Sequence, residues 1–433
     1  MSIPRRRHPK CLAVALTLAV AGTAAAQSPS VLTLAAAQQI ALQNHPRIAS
    51  VSLTAKAFAS VVKEVQAARY PLVFGNVTAV GAEHGTTLSA GAIPTSSLYS
   101  RGSSGVAVNQ LVTDFGRTAN LEQSARLRNQ VQNQNVVTTR AEILLEVQEA
   151  YYQAGGAVAV LKVAQDTLDF GRLTLRQVNA LAAGALRSTL DVSFAEVTVS
   201  EEELALVRAE DDASASHARL SAALGYERDQ PFTMAEEPLP APLEADSEPL
   251  ISKALAGRPD LAALKLSRDA AQRFAEAEKK LSYPTVSVGG VAGEAPVRDD
   301  RLQRNYSAAG VNVSIPILNG GLFGARKAES QLRAEAAAKD IETLAVQIAR
   351  DVRIAWLSAT DAFRRLSVTA KLVDQAARSL RLAQARYNSG LGSIVELDQA
   401  ALSQTSAQIA AASAKYEYLS RRADLDFTTG DLR

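Results

Sequence analysis

The 433-residue chain has a single cysteine, Cys11, and it falls in a leader-like stretch at the start. Once that stretch is removed there is no disulfide, no thiol chemistry and no cysteine for lipid attachment. Aromatic residues make up only 5% of the sequence, too few for a thick mixed core. The four histidines are scattered. His8 leaves with the leader, and His45, His84 and His217 show no metal-ligand spacing. No P-loop and no nucleophile elbow occurs. The expectation is therefore no enzyme, no cofactor and no metal, with any energy supplied by a partner. Beyond the leader no apolar run is long enough to cross a bilayer as a helix.

The leader itself has a clear pattern. Arg5, Arg6, Arg7 and Lys10 precede the apolar run CLAVALTLAVAG, and Ala24 to Ala26 supply small residues before Gln27. Residues 1–26 read as a secretory signal. Removing them takes four of the 46 basic residues and none of the 44 acidic ones, so the remainder has a net charge of −2. Nothing in that balance points to nucleic acid. An exported chain without an apolar helix can enter a membrane only as strands of a closed barrel.

What is present is a duplication. Pro46 and Tyr70-Pro71 recur as Pro259 and Tyr283-Pro284, 213 residues on. The offset then becomes 205: Asp114-Phe115-Gly116 matches Asn319-Gly320-Gly321, Tyr151 matches Trp356, Asp191 matches Glu396, and Gly225 matches Gly430. One length change of eight residues, between 81 and 106, accounts for the drop. The expected organisation is a first repeat over 27–237, a Pro-rich linker over 238–249 and a second repeat over 250–433. Each repeat runs helix, Tyr-Pro, strand pair, long helix, break near a glycine, long helix.

Strand pairs are expected at 72–82 with 104–113 and at 284–293 with 306–317. Val73, Gly75, Val77 and Ala79 alternate with polar residues, as do Val106, Val108 and Val112, with Gln110 out of place. In the second repeat the sets are Val286, Val288, Gly290, Ala292 and Val311, Val313, Ile315, Ile317. Asn76, Thr78, Thr285, Ser287, Asn312 and Ser314 take the opposite face. Apolar outward and polar inward over about ten residues is the pattern of a membrane barrel strand. A soluble hairpin would need a second sheet to pack on, and none is evident.

Long helical stretches cover roughly 115–185 and 320–388. At 1.5 Å per residue each reaches on the order of 100 Å, too long for a globule. Apolar or small residues in the second recur about every 3.5 residues from 341 to 387, the coiled-coil period. Gly155-Gly156 and Gly171 are expected to weaken the first rod locally. Tyr-Pro then marks where a helical wall becomes a barrel strand, because proline suits a strand's first residue and pushes its predecessor out of helical geometry. Four strands cannot close a barrel, for which eight is the usual minimum. More than one chain is required.

These features together resemble the outer-membrane efflux protein (TolC) family, over about Leu34 to Gly430. The carriers are NHP at 44–46, YP at 70–71 and 283–284, LVTDFG at 111–116, PILNGG at 316–321 and ARYNSGLGSIVELDQA at 385–400. The resemblance implies a mainly α fold with a membrane β-barrel. A long coiled-coil tunnel and four barrel strands per chain would be completed by trimerisation into twelve strands. It implies a homotrimer in the cell outer membrane, extending into the periplasm, in contact with lipid. It also implies docking to a periplasmic adaptor (membrane fusion protein) and an inner-membrane pump.

The resemblance makes the turn from Tyr387 to Glu396 the closed periplasmic tip. Tyr387 matches a tyrosine that helps hold the tip shut, and Glu396 matches the first acid of a carboxylate ring at the constriction. Gly392 falls where some members carry a restraining arginine. Gln399 stands where a second acid is expected, with Asp398 one step out of register, and Asp191 is the counterpart of Glu396. Independently of any family, SIVE (393–396) and STLD (188–191) read as capping boxes, and acids in a first helical turn complement the helix dipole. Both roles stay open for Glu396 and Asp191.

The expected function is an exit duct of a tripartite efflux or type I secretion system, passively conducting small molecules or polypeptide. The alternatives are a periplasmic adaptor or a structural coiled-coil envelope protein. An adaptor places one helical hairpin between β-rich flanks, whereas here strands interrupt the helices twice. A structural coiled coil has no need of two matched strand pairs.

Overall fold

The computed structural model describes residues 31–83, 87–90, 93–97, 99–230, 232–243 and 245–432. The expected leader, 1–26, and His84 lie outside the described residues.

The helices are α1 (Leu34–Asn44), α2 (Pro46–Ala67), α3 (Arg117–Ala183), α4 (Thr189–Ala223), α5 (Glu248–Gly257), α6 (Pro259–Lys279), α7 (Leu322–Asn388) and α8 (Ile394–Thr429). The strands are β1 (Val31–Leu32), β2 (Leu72–Val80), β3 (Thr87–Ala90), β4 (Ile93–Ser97), β5 (Arg101–Thr113), β6 (Thr233–Met234), β7 (Thr285–Arg298) and β8 (Asn305–Ser314). No described helix is long and apolar enough to cross a membrane.

At 67 residues each, α3 and α7 are on the order of 100 Å long. α3 packs on α2, α4, α6 and α8, and α7 packs on α5, α6 and α8. Instead of one core there are three local ones. Tyr151, Ile143, Val147, Leu220 and Leu224 anchor the first. Val178, Leu380, Tyr387, Ile394 and Leu397 anchor the second, beside the helix turns. Ile251, Leu261, Ile348 and Val352 form the third. Alanine fills much of the remaining helix contact, which lets the rods approach closely.

The glycines expected to weaken α3 do not interrupt it. Tyr416 of α8 lies over Gly155 and Gly156, and Glu202 of α4 presses on Gly171, so a Cβ at 155 or 171 would collide with it. The missing side chains admit partners, and that packing offsets the propensity cost of roughly 1 kcal/mol each.

β2, β5, β7 and β8 form one antiparallel sheet in that order, so the two strand pairs join through β5 and β7. Opposed residues share a face. One row is Val73, Val108, Gly290, Ala309, and the next is Gly75, Val106, Ala292, Ser307. The alternating apolar sets of both halves thus lie on one face. The other face is mixed, because Leu72, Phe74 and Val291 share it with Asn76, Ser287 and Asn312. Gln110 lies in the row of Val288 and Val311. Its amide donates to the carbonyls of Arg69 (2.7 Å) and Leu111 (2.8 Å), beside a bulge. A polar residue is needed there to satisfy backbone at the helix-to-strand corner.

The strand ends differ from expectation in physically simple ways. β8 stops at Ser314, leaving Ile315 and Ile317 outside it, because Pro316 has no N–H for a ladder. β7 continues past 293 to Arg298, and Pro296 is absorbed where the register shifts between Gly102 and Ser104. Two small sheets were not expected. β3 pairs with β4, and β1 pairs in parallel with β6. The second is stapled by the Tyr151 hydroxyl, whose one proton is shared between the carbonyls of Leu32 (2.9 Å) and Ala235 (2.8 Å).

Eight described residues have left-handed backbone, and they form four pairs 205 apart: Phe115 with Gly320, Gly116 with Gly321, Ala185 with Gly390, and Gly225 with Gly430. The two halves therefore turn at the same places. Gly225 sits against the α1–α2 break, where a Cβ would lie 3.1 Å from His45 Cα. Gly430 sits likewise against Arg258 at the α5–α6 break.

Candidate functional site

The turns α3–α4 and α7–α8 lie at the opposite end of the long helices from the four-stranded sheet. α4 and α8 start at serine N-caps. Ser393 Oγ accepts from Glu396 N at 3.2 Å, and Ser188 Oγ accepts from Leu190 N at 3.1 Å. Capping is thus part of what SIVE does. At STLD the serine reaches Leu190 instead of Asp191.

Glu396 has a second partner. Its carboxylate lies 3.2 Å from Arg386 Nε, and Arg386 also donates to the Leu391 carbonyl at 3.2 Å. The pair closes over Gly392. A Cβ there would lie 3.2 Å from Arg386 Cβ, from Glu396 Oε2 and from Tyr387 N. A larger side chain at 392 would crowd the ion pair, so the turn has no ready room for an arginine at that position.

The arginine is found 205 residues earlier. Arg187 holds the place in the α3–α4 turn that Gly392 holds in the α7–α8 turn. It reaches across to Tyr387, donating to its carbonyl oxygen. The guanidinium carbon stands 4.2 Å from the ring centroid. A cation at the last carbonyls of α7 also complements that helix's dipole. Tyr387 is 2% exposed, packed among Val178, Leu380, Ile394 and Leu397. Its phenol is pushed up by burial and by the charge of Asp191, with Arg187 pulling the other way. The hydroxyl is buried without a hydrogen-bond partner among the described residues.

Tyr387, Asp191 and Arg187 are therefore brought together, and Glu396 sits one turn away with Arg386. Asp398 faces inward. It accepts from Thr198 of α4 at 3.4 Å, and burial raises its carboxyl. Sequence reasoning missed Arg187. Its signal was the repeat offset applied to Gly392, which lands on an arginine.

A family model described as "Outer membrane efflux protein" matches residues 37–226 and 250–431. The outer membrane efflux protein BepC of Brucella suis is 24% identical over 299 residues, 68% of this chain and 64% of BepC. The match thus spans slightly under two thirds of that relative. Among solved structures, the outer-membrane channel OprN superposes with a TM-score of 0.79 at 20% identity, covering 92% of this chain and 89% of that one. The open-state MtrE outer membrane channel of Neisseria gonorrhoeae gives 0.75 at 19%, covering 92% and 88%. At these identities the likeness is one of fold.

Proposed function

The chain belongs to the outer membrane efflux protein family, and from that premise we propose that it is the outer-membrane duct of a tripartite efflux or secretion system. The observation that carries this reading is the four-stranded sheet at one end of rods on the order of 100 Å long. β2 and β8 are its unpaired edges. Strands alternate direction, so β8 of one chain meets β2 of the next antiparallel, and three chains give twelve strands around a lumen. The face carrying Val77, Val288 and Val313 meets lipid; the face carrying Asn76, Ser287 and Asn312 lines the lumen.

The rods fit the same assembly. Val346, Ile354, Leu357, Val368 and Leu382 of α7 are all more than half exposed in the single chain. Neighbouring copies cover such side chains in a closed tunnel. We read 27–237 and 250–433 as two structural repeats that each build half of the wall, and the turns around Tyr387 and Asp191 as the periplasmic tip. A periplasmic adaptor and an inner-membrane pump supply contact and energy, and the chain itself performs no chemistry. Arg187 on Tyr387 holds the tip closed. Reconstitution of wild type and Arg187→Ala into planar bilayers tests the duct: defined single-channel steps are expected, more frequent in the variant, and preparations that fold and insert yet conduct nothing in either form would refute it.

A further inference from the structure

Glu202, on α4, is 8% exposed, and its Oε2 is buried without a hydrogen-bond partner among the described residues. It presses on Gly171 of α3, where a Cβ would overlap its carboxylate. Opposite it on α8 is Asp398, which among the described residues accepts a long hydrogen bond from Thr198 at 3.4 Å. Both line a cavity of about 10 Å³ with Phe170, Thr174 and Leu397, room for about one water, and Glu202 also borders a mostly apolar cavity of about 160 Å³ with Ala205, Ala209 and Leu402. The charges bearing on Glu202 are Asp398 from α8 and Glu201 from its own helix, both acidic. α3 contributes only Phe170, Gly171 and Thr174 to the smaller cavity. Arg172, next along α3, is paired with Glu203. Tyr387 of α7 senses Asp398 and carries no positive charge.

The second repeat shows that this arrangement is not required for packing. The positions 205 residues after Gly171 and Glu202 are Ala376 and Ala407, both buried. The α7–α8 hairpin makes the corresponding helix contact with two alanines. An unpaired acid over a glycine is therefore a departure within one half of the chain.

We propose that Glu202 and Asp398 form a proton-operated clasp that holds α8 against the α3–α4 hairpin and loosens it when the proton is lost. A buried carboxyl facing another acid and no cation is stable only when neutral. Once ionised, it repels Asp398 across a cavity with room for about one water. Parting of the helices that carry them relieves that repulsion and admits more water. Burial and Asp398 push Glu202 up to about 7 from the ordinary 4.5. The sign follows. The clasped form binds more protons than the parted form between those values, so it loses stability as pH rises from about 4.5 to about 7 and changes little above.

The test is hydrogen exchange of the full chain in detergent, with exchange at residues 394–410 of α8 expressed as protection factors from about pH 5 to pH 8. Wild type should lose protection there by tenfold or more, within a ceiling on the order of 10²-fold set by the shift. Glu202→Gln and Gly171→Ala/Glu202→Ala, which copies the second repeat, should fold and give flat profiles. Asp398→Asn should move the midpoint to lower pH. The proposal fails if wild-type protection is independent of pH. It fails equally if the Glu202 variants keep the wild-type profile while shifting protection uniformly, as a purely structural role would.

Discussion

Arg187 of the first repeat stacks on and hydrogen-bonds to Tyr387 of the second, with its guanidinium carbon 4.2 Å from the ring centroid. The contact ties the α3–α4 turn to the end of α7. Arg187→Ala should remove on the order of 1–3 kcal/mol from it, combining a charge-assisted hydrogen bond with a partly buried cation–π contact. In single-channel recordings the variant should open more often at the periplasmic side. Arg187→Lys should recover part of this, because it keeps charge but loses the planar stack. Unchanged open probability in Arg187→Ala would remove the residue from the closed tip.

Ser393 caps α8 by accepting from the Glu396 backbone N–H, and the Glu396 carboxylate pairs with Arg386. Arg386→Gln should free the carboxylate. Up to six acids from Glu396 and Asp191 in a trimer would then raise cation selectivity and block by multivalent cations. Glu396→Gln should lower both while leaving stability within about 1 kcal/mol, since the Ser393 cap bonds the backbone N–H of residue 396, which the substitution keeps. If neither variant alters selectivity or block while Glu396→Ala lowers stability, Glu396 serves the local turn through Arg386 alone.

Much of this was legible in the sequence, and the gaps have physical reasons. Tyr-Pro twice, with apolar alternation after it, gave the sheet, since strand periodicity is a local signal. Gln110 broke that alternation because its task is backbone satisfaction at a corner, which periodicity does not encode. Phe115 and Ala185 adopt left-handed backbone without being glycine, and only their glycine partners 205 residues on betray it. The α3 glycines read as weak points because their compensation by Tyr416 and Glu202 comes from other helices. Of the turn residues, Tyr387 and Glu396 were singled out by the family resemblance and Asp191 as the repeat counterpart of Glu396. Arg187 required comparing the two turns, and Glu202 on a polar-looking helix gave no sign of burial.

Gly225 has φ +83° and its α-carbon faces the α1–α2 break, where a Cβ would lie 3.1 Å from His45 Cα. Gly225→Ala should cost roughly 1–3 kcal/mol from left-handed strain and a contact with backbone that cannot rotate away. Gly310, in the extended backbone of β8 with open space around its α-carbon, should accept alanine with little loss. Thermal unfolding of the two variants in detergent checks this, and equal melting points would contradict it.

Val313 lies in the sheet row with Val286, and Asn312 faces the other way. Arginine at Val313 should cost ~2–4 kcal/mol if that site lies near mid-bilayer. Arginine at Asn312 should fold and shift channel selectivity towards anions. Assembly yield in outer-membrane fractions separates the outcomes, and equal tolerance would reverse or void the assignment of faces.

The central claim is that three chains close one barrel by pairing β8 of each with β2 of the next. Cys11 is the sole cysteine, so with Cys11 replaced by serine, cysteines introduced along the free edges of Leu72–Val80 and Asn305–Ser314 would be the only thiols in the protein. Oxidation followed by mass measurement in detergent should give covalent species that stop at three chains, matching the mass of the native particle. A native mass of one or two chains, or disulfides formed solely within a chain, would contradict it.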